Sequence, residues 1–226
     1  MRKNCTAVIV AAGSARRMQG IDKIMTQVGG KPMLLWTVQA LSASEKIDSI
    51  VIVTRADLVQ TVQTLCAGMP KLQAVVPGGE SRAESVLCGL KTVQTPLVAI
   101  HDGARPLVTR QIIDAAIKAA EHCGAAAPAI AVHDTIKVAR DSIVCETPAR
   151  ATLFAVQTPQ VFDTGKITAA LCAALEQGLP LTDDCSAAEF AGMEVRLTQG
   201  SEENLKITVP TDLILAETIV KGREMP

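Results

Sequence analysis

Aromatic residues are almost missing from this sequence: they make up 2% of it, with one Trp, three Phe and no Tyr. Single-strand nucleic-acid binders lay successive bases on such rings, so that class of function is disfavoured. Net charge is nearly missing too, at −1, and no global basic field exists to hold a polyanionic backbone. Any polyanion must be met at a local site. The seven cysteines, at 5, 66, 88, 123, 145, 172 and 185, contain no C-x-x-C pair. An odd count without paired spacing argues against a disulfide framework or a zinc site, and suits reduced thiols in a cytoplasmic protein. Long hydrophobic runs are also lacking, since no stretch approaches the ~20 apolar residues of a membrane span. Arg2 and Lys3 ahead of an apolar segment imitate a signal peptide. However, only Val8, Ile9 and Val10 are strongly apolar before Arg16 and Arg17. A buried first strand running into a small-residue loop is the better reading.

What is present is ample apolar material: 48% of the 226 residues are hydrophobic and 20% charged. That composition supports one packed α/β domain over residues 1–226. Short apolar runs at 7–10, 49–54, 73–76, 97–101 and 125–132 alternate with helical patterns at 33–42, 56–67, 83–91 and 110–122. Such alternation predicts a Rossmann-like, doubly wound, mostly parallel sheet. Beyond residue 132 the pattern changes. Two short strands at 135–139 and 142–146, around a turn at Arg140–Asp141, predict a protruding β-hairpin arm within 133–156. A helix over 164–177, a segment from an N-cap at Thr182 to residue 191, a strand at 195–198 and a final helix over 211–220 complete the reading.

Three motifs carry candidate chemistry. Val8-Ile9-Val10-Ala11-Ala12-Gly13-Ser14-Ala15-Arg16-Arg17 ends a strand in tiny residues, so backbone N–H groups can approach a ligand, and Arg17 and Lys23 supply positive charge for a triphosphate. A surface loop with solvated arginines would use the same letters. Neither a P-loop nor a G-x-G-x-x-G is present. Pro77-Gly78-Gly79-Glu80-Ser81-Arg82-Ala83-Glu84-Ser85 offers glycines for close approach and Glu80 or Ser85 for the edge of a base. Taken alone, it reads better as a strand-to-helix turn whose capping box joins Ser81 to Glu84. His101-Asp102-Gly103-Ala104-Arg105 puts a carboxylate at the carboxyl end of a central strand, a natural place for magnesium. Asp102 also suits a turn residue neutralised by Arg105, and His101 a satisfied structural side chain.

Taken together, A-A-G-S-A-R-R-M, G-G-E-S-R-A-E-S-V-x-x-G-L, H-D-G-A-R-P, D-T-I-K, T-P-Q, T-D-D and N-L-K-I-T run in order across roughly residues 7–216. This set resembles the 2-C-methyl-D-erythritol 4-phosphate cytidylyltransferase family. Ribitol 5-phosphate cytidylyltransferases share much of it but tend to begin A-G-G-x-G. A non-catalytic nucleotide-binding homologue is a further alternative. The resemblance implies transfer of CMP from CTP to a small polyol phosphate, with Mg2+ as cofactor. It implies that Arg17, Lys23 and Lys206 act in catalysis, and that Ala11, Ala12, Gly13, Gly79, Glu80, Ser85 and Gly103 bind the nucleotide. Asp102, Arg105, Thr135, Arg150 and Thr158 would bind the acceptor, with Asp102 also holding the metal. A homodimer through the arm is implied, Thr135 and Arg150 completing the neighbour's site. The chain departs from the family pattern around Lys23, where Asp22-Lys23-Ile24 replaces Pro-Lys-Gln; Lys31 is a distant substitute.

Overall fold

The computed structural model describes residues 4–13 and 23–224, without the side chains of Lys23 and Glu224. Arg17 therefore lies outside the described residues, as does the Lys23 side chain. In chain order the elements are β1 (Cys5–Ala11), β2 (Gln27–Val28), β3 (Lys31–Pro32), α1 (Met33–Ser42), β4 (Ser49–Thr54), α2 (Val59–Leu65), β5 (Leu72–Pro77), α3 (Arg82–Leu90), β6 (Leu97–Asp102), α4 (Arg110–Cys123), β7 (Ala125–Ala131), β8 (Val138–Arg140), β9 (Ile143–Glu146), β10 (Phe154–Val156), β11 (Gln160–Asp163), α5 (Thr164–Glu176), α6 (Asp184–Phe190), β12 (Arg196–Gln199) and α7 (Pro210–Glu224).

The central sheet runs β11–β6–β1–β4–β5, with β7 beyond β11. β1 pairs in parallel with both β4 and β6, and β4 with β5. Strands buried on both faces need apolar residues at every position, and β1 and β4 are such runs. On β1, Ala7, Ile9 and Ala11 join the core under α1, α2 and α4, while Val8 joins the core under α3, α5 and α6. Side chains alternate across a strand, so a single apolar run serves both layers. The sheet is Rossmann-like, mostly parallel and covered by helices on both faces.

Several elements differ from the sequence expectation. β11 was not anticipated; it lies antiparallel between β6 and β7, pairing with both. β10 also pairs antiparallel with β7, so residues 154–156 belong to the main sheet rather than to the free part of the arm. The arm's strands β8 and β9 are shorter than expected and form a sheet of their own. Asp141 and Ser142 take φ of 49° and 65° at its turn, which moves the turn one residue beyond Arg140–Asp141. Thr135 consequently lies outside either strand. The cap of α6 is Asp183, not Thr182: its carboxylate accepts from the Ser186 N–H at 2.9 Å. A carboxylate suits this position better than a hydroxyl because it also meets the positive end of the helix dipole.

Candidate active site

Three strand ends converge on the first small-residue loop. The Gly103 N–H donates to the Val10 carbonyl at 2.9 Å, and a Cβ on Gly103 would stand 3.1 Å from the Ala11 Cβ. On the other side, a Cβ on Gly78 would stand 2.6 Å from the Ala12 Cβ and 2.7 Å from the Ser85 Oγ. Glycine is required there by contact, not by φ. Ala11, Ala12, Gly103 and Ser85 thus share the carboxyl edge of the sheet, where ligands of open α/β folds bind. Gly13 is exposed, with open space around it.

The Gly79 loop adopts the capped strand-to-helix turn that one of its two sequence readings expects. Ser81 and Glu84 form a complete capping box at the start of α3. Ser85 Oγ accepts from the Gly79 N–H at 3.1 Å and donates to the Ser81 carbonyl at 2.9 Å. Glu80 remains exposed beside them. The capping box holds the loop in a fixed shape while leaving its backbone edge available.

Asp102 closes β6 and is the centre of the charged cluster. Its Oδ2 lies 2.8 Å from Lys206 Nζ and 4.0 Å from Arg105 Nε. Its Oδ1 faces Arg82, at 3.4 Å from Nε and 3.3 Å from Nη2. Burial pushes the Asp102 carboxyl upward, but Arg82, Lys206 and Arg105 outweigh it and bring its pKa down to about 2. The group is therefore ionised at neutral pH. Arg82 in turn grips the buried Asp184 with two parallel bonds of 2.9 and 2.8 Å. Burial opposes the charge on both partners, raising the Asp184 carboxyl, while the guanidinium is held cationic by Asp184 and Asp102. The bidentate geometry is that of a charged pair. Among the described residues, the cluster of Arg82, Arg105 and Lys206 with Asp102 and Asp184 carries one net positive charge.

A second network fixes the geometry around this cluster. Thr158 Oγ1 accepts from the Asp102 N–H at 3.1 Å and donates to His101 Nδ1 at 3.0 Å. His101 Nε2 donates to the Arg105 carbonyl at 3.1 Å. A carbonyl only accepts, so the proton of this buried ring sits on Nε2. Arg105 Nη1 donates to the Asn204 carbonyl at 2.6 Å. Asn204 Nδ2 donates to the Thr158 carbonyl at 3.0 Å and to Gln157 Oε1 at 3.2 Å. These bonds dock the Asn204–Ile207 stretch onto β6 and so deliver Lys206 to Asp102.

Of the residues singled out from the sequence, Asp102, Arg105, Thr158 and Lys206 come together directly, with Ala11, Ala12, Ser85 and Gly103 at the neighbouring strand ends. Thr158 is buried with its hydroxyl already engaged on both sides. Thr135 and Arg150 are exposed on the arm and joined to the cluster by no hydrogen bond or ion pair; Arg150 donates to the His133 carbonyl at 2.9 Å. Lys31 is committed elsewhere, 2.8 Å from Gln39 Oε1 and 3.8 Å over the Trp36 ring. The residues that sequence reading left without a role are Arg82, Asp184, Gln160 and Asn204. Their only signal was membership of the glycine-pair, T-D-D, T-P-Q and N-L-K-I-T segments. Among the described residues, no group of three or more His, Cys, Asp or Glu is placed to hold a metal ion by itself. No helix among them is long and apolar enough to cross a membrane.

Residues 5–222 match the model of the family described as IspD, 2-C-methyl-D-erythritol 4-phosphate cytidylyltransferase. A protein of that name from Caldanaerobacter subterraneus subsp. tengcongensis is 43% identical over 225 residues, covering 96% of this chain and 99% of its own. One from Desulforamulus reducens is 43% identical over 231 residues, covering 97% of each. Among solved structures, 4-diphosphocytidyl-2C-methyl-D-erythritol synthase from Anaerococcus prevotii superposes with a TM-score of 0.88 at 31% identity, covering 97% of this chain and 96% of that one. The cytidylyltransferase from Thermus thermophilus gives a TM-score of 0.80 at 30% identity, covering 95% and 98%.

Proposed function

The chain belongs to the 2-C-methyl-D-erythritol 4-phosphate cytidylyltransferase family, and we infer from that membership that it joins CMP from CTP to 2-C-methyl-D-erythritol 4-phosphate. An oxygen of the acceptor phosphate attacks the α-phosphorus. The bond from that phosphorus to the α,β-bridging oxygen breaks, and pyrophosphate leaves as 4-diphosphocytidyl-2-C-methyl-D-erythritol forms. The nucleophile is already an anion, so no general base is needed. The barrier is the repulsion between two phosphates, and fixed positive groups lower it.

The observation that carries the site assignment is the Asp102 cluster, set at the carboxyl edge beside two loops narrowed to alanine and glycine. The Gly79–Ser85 loop is assigned to cytosine, and Ala11–Gly13 with Gly103 to the phosphates. Lys206 is half-exposed, at 43%, on a flexible stem. It rests on Asp102 and transfers to a phosphate when one arrives. Arg105 keeps a buried Nε that has no hydrogen-bond partner among the described residues and is assigned to the acceptor, on the carboxylate side. Arg17 and Lys23 are assigned to the triphosphate on the family pattern. Magnesium fits as cofactor: it commonly takes one or two carboxylates plus substrate phosphates and water, and Asp102 offers one ionised carboxylate. When bound there, the ion would neutralise charge on the phosphates. Thr135 and Arg150 would act on a partner's site, since the arm carrying them exposes Ile136, Val138, Val144 and, at 71%, Ile143. Apolar strands of an isolated hairpin favour a second arm, hence a homodimer. Unpaired cysteines accord with a cytoplasmic protein.

The test is pyrophosphate release from CTP with 2-C-methyl-D-erythritol 4-phosphate and with ribitol 5-phosphate, UTP replacing CTP as a control. Sedimentation of the same preparation is read alongside. The expected result is turnover with CTP and the methylerythritol acceptor by a dimer. Preference for ribitol 5-phosphate would refute the acceptor assignment, and full activity in a monomer the role of the arm.

A further inference from the structure

We propose that Arg82 is a positioning residue for this reaction: clamped to Asp184, it fixes one oxygen of Asp102 so that the other is presented to the cations that meet the reacting phosphates. This role depends on Asp102 lying at those phosphates, as inferred above. Arg82 is the first residue of α3 and lies inside the Gly79–Ser85 segment assigned to cytosine, with its side chain turned to Asp184 and Asp102. Its two short bonds go to Asp184, whose side chain is 1% exposed. Asp184 is itself immobilised, because Gln160 Oε1 accepts from the N–H groups of Asp184 and Cys185 at 3.0 and 3.1 Å. Gln160 Nε2 then donates to Asp183 Oδ2 at 2.7 Å.

The contacts from Arg82 to Asp102 are longer, at 3.3 and 3.4 Å, and both reach Oδ1. Arg82 is therefore anchored on Asp184 and leans on Asp102. Lys206 holds Oδ2 by an exposed and flexible side chain. When a phosphate draws Lys206 away, Oδ2 keeps only the 4.0 Å approach of Arg105 Nε, while Oδ1 stays where Arg82 holds it. Stability alone gives little reason for such an arrangement, because buried ion pairs are commonly replaced by apolar residues without loss. A lysine cannot substitute, since its point charge reaches one carboxylate and lacks the two-edged fork. The capping box of Ser81 and Glu84 does not use the Arg82 side chain, so the cytosine loop keeps its shape when that side chain is changed.

Two variants of the full chain test this, R82K and the double replacement R82M/D184L, each confirmed folded by circular dichroism. The role predicts a kcat lower by about tenfold to a hundredfold in both, as for other residues that orient a ligating group. CTP affinity by calorimetry in metal-free buffer should stay within about threefold of the parent. A kcat of R82M/D184L within about twofold of the parent would show the pair to be structural only. Parental turnover from R82K would equally overturn the role. Should R82K fail to fold, the double variant decides, because it removes both buried charges together and keeps the volume filled. Turnover by the parent tests the proposed function; the ratio of variant to parent tests Arg82.

Discussion

His101 shows how burial makes one side chain a neutral structural fixture beside a charged one. It is fully buried, and desolvation lowers its pKa from 6.5 to about 4 against the opposing pull of its hydrogen bonds and of Asp102. Between those two values the unfolded chain binds a proton that the folded chain refuses. Stability is thus complete above the unfolded value and is lost as pH falls toward the folded one. Lowering pH from about 7 to about 5 should cost about 2 kcal/mol through this residue, read by urea unfolding. His101→Gln should flatten the slope; an equal loss in parent and variant would contradict the assignment. Asp102, with its depressed pKa, stays charged throughout that window. At this scale the sequence was only partly legible. Asp102 and Lys206 stood out within their motifs, whereas Arg82 did not, because its partner Asp184 lies 102 positions away. Only the folded chain shows that the two charges meet.

Elements were more legible than their neighbours in space. β1, β4 and β6 carry the apolar runs Ala7–Ala11, Ile50–Val53 and Leu97–Ile100, and α4 carries its buried stripe at helical spacing between the Thr109 cap and left-handed Gly124. β11 escaped notice because Gln160–Asp163 contributes only Val161 and Phe162 to the core, too few for an alternation to register. Its pairing is entirely with distant strands. Gly89 in helix α3 and Gly78 in the loop ahead of it have separable effects. Gly89 sits against the sheet, where an added Cβ would lie 2.6 Å from Val8 Cγ1 and 2.8 Å from Val53 Cγ2. Gly89→Ala should therefore destabilise by about 1–3 kcal/mol through overpacking, with little change in CTP KM while folded. Gly78→Ala should do the opposite, since it pushes the cytosine loop off Ala12 and raises CTP KM by about tenfold or more. Thermal unfolding and steady-state kinetics on both variants separate the two; matching effects would mean that the loop and the sheet contact act as one unit.

On the scale of the molecule, the parallel sheet places its carboxyl edge, two glycine-narrowed loops and a docked C-terminal segment around one carboxylate. α7 and the β2–β3 ribbon brace that segment through Val28, Met33, Leu107, Ile207, Ala216 and Val220. The arm leaves Ile136, Val138, Ile143 and Val144 exposed, so the sequence pattern and the structure alike mark an uncovered apolar surface there. In the proposed reaction this arrangement would hold two phosphates together near Asp102. Asn at that position keeps the size and removes the charge. The deciding measurement is the rate of pyrophosphate release by Asp102→Asn at saturating CTP and methylerythritol phosphate. A fall of about a hundredfold is predicted; a rate within about threefold of the parent would place the chemistry elsewhere.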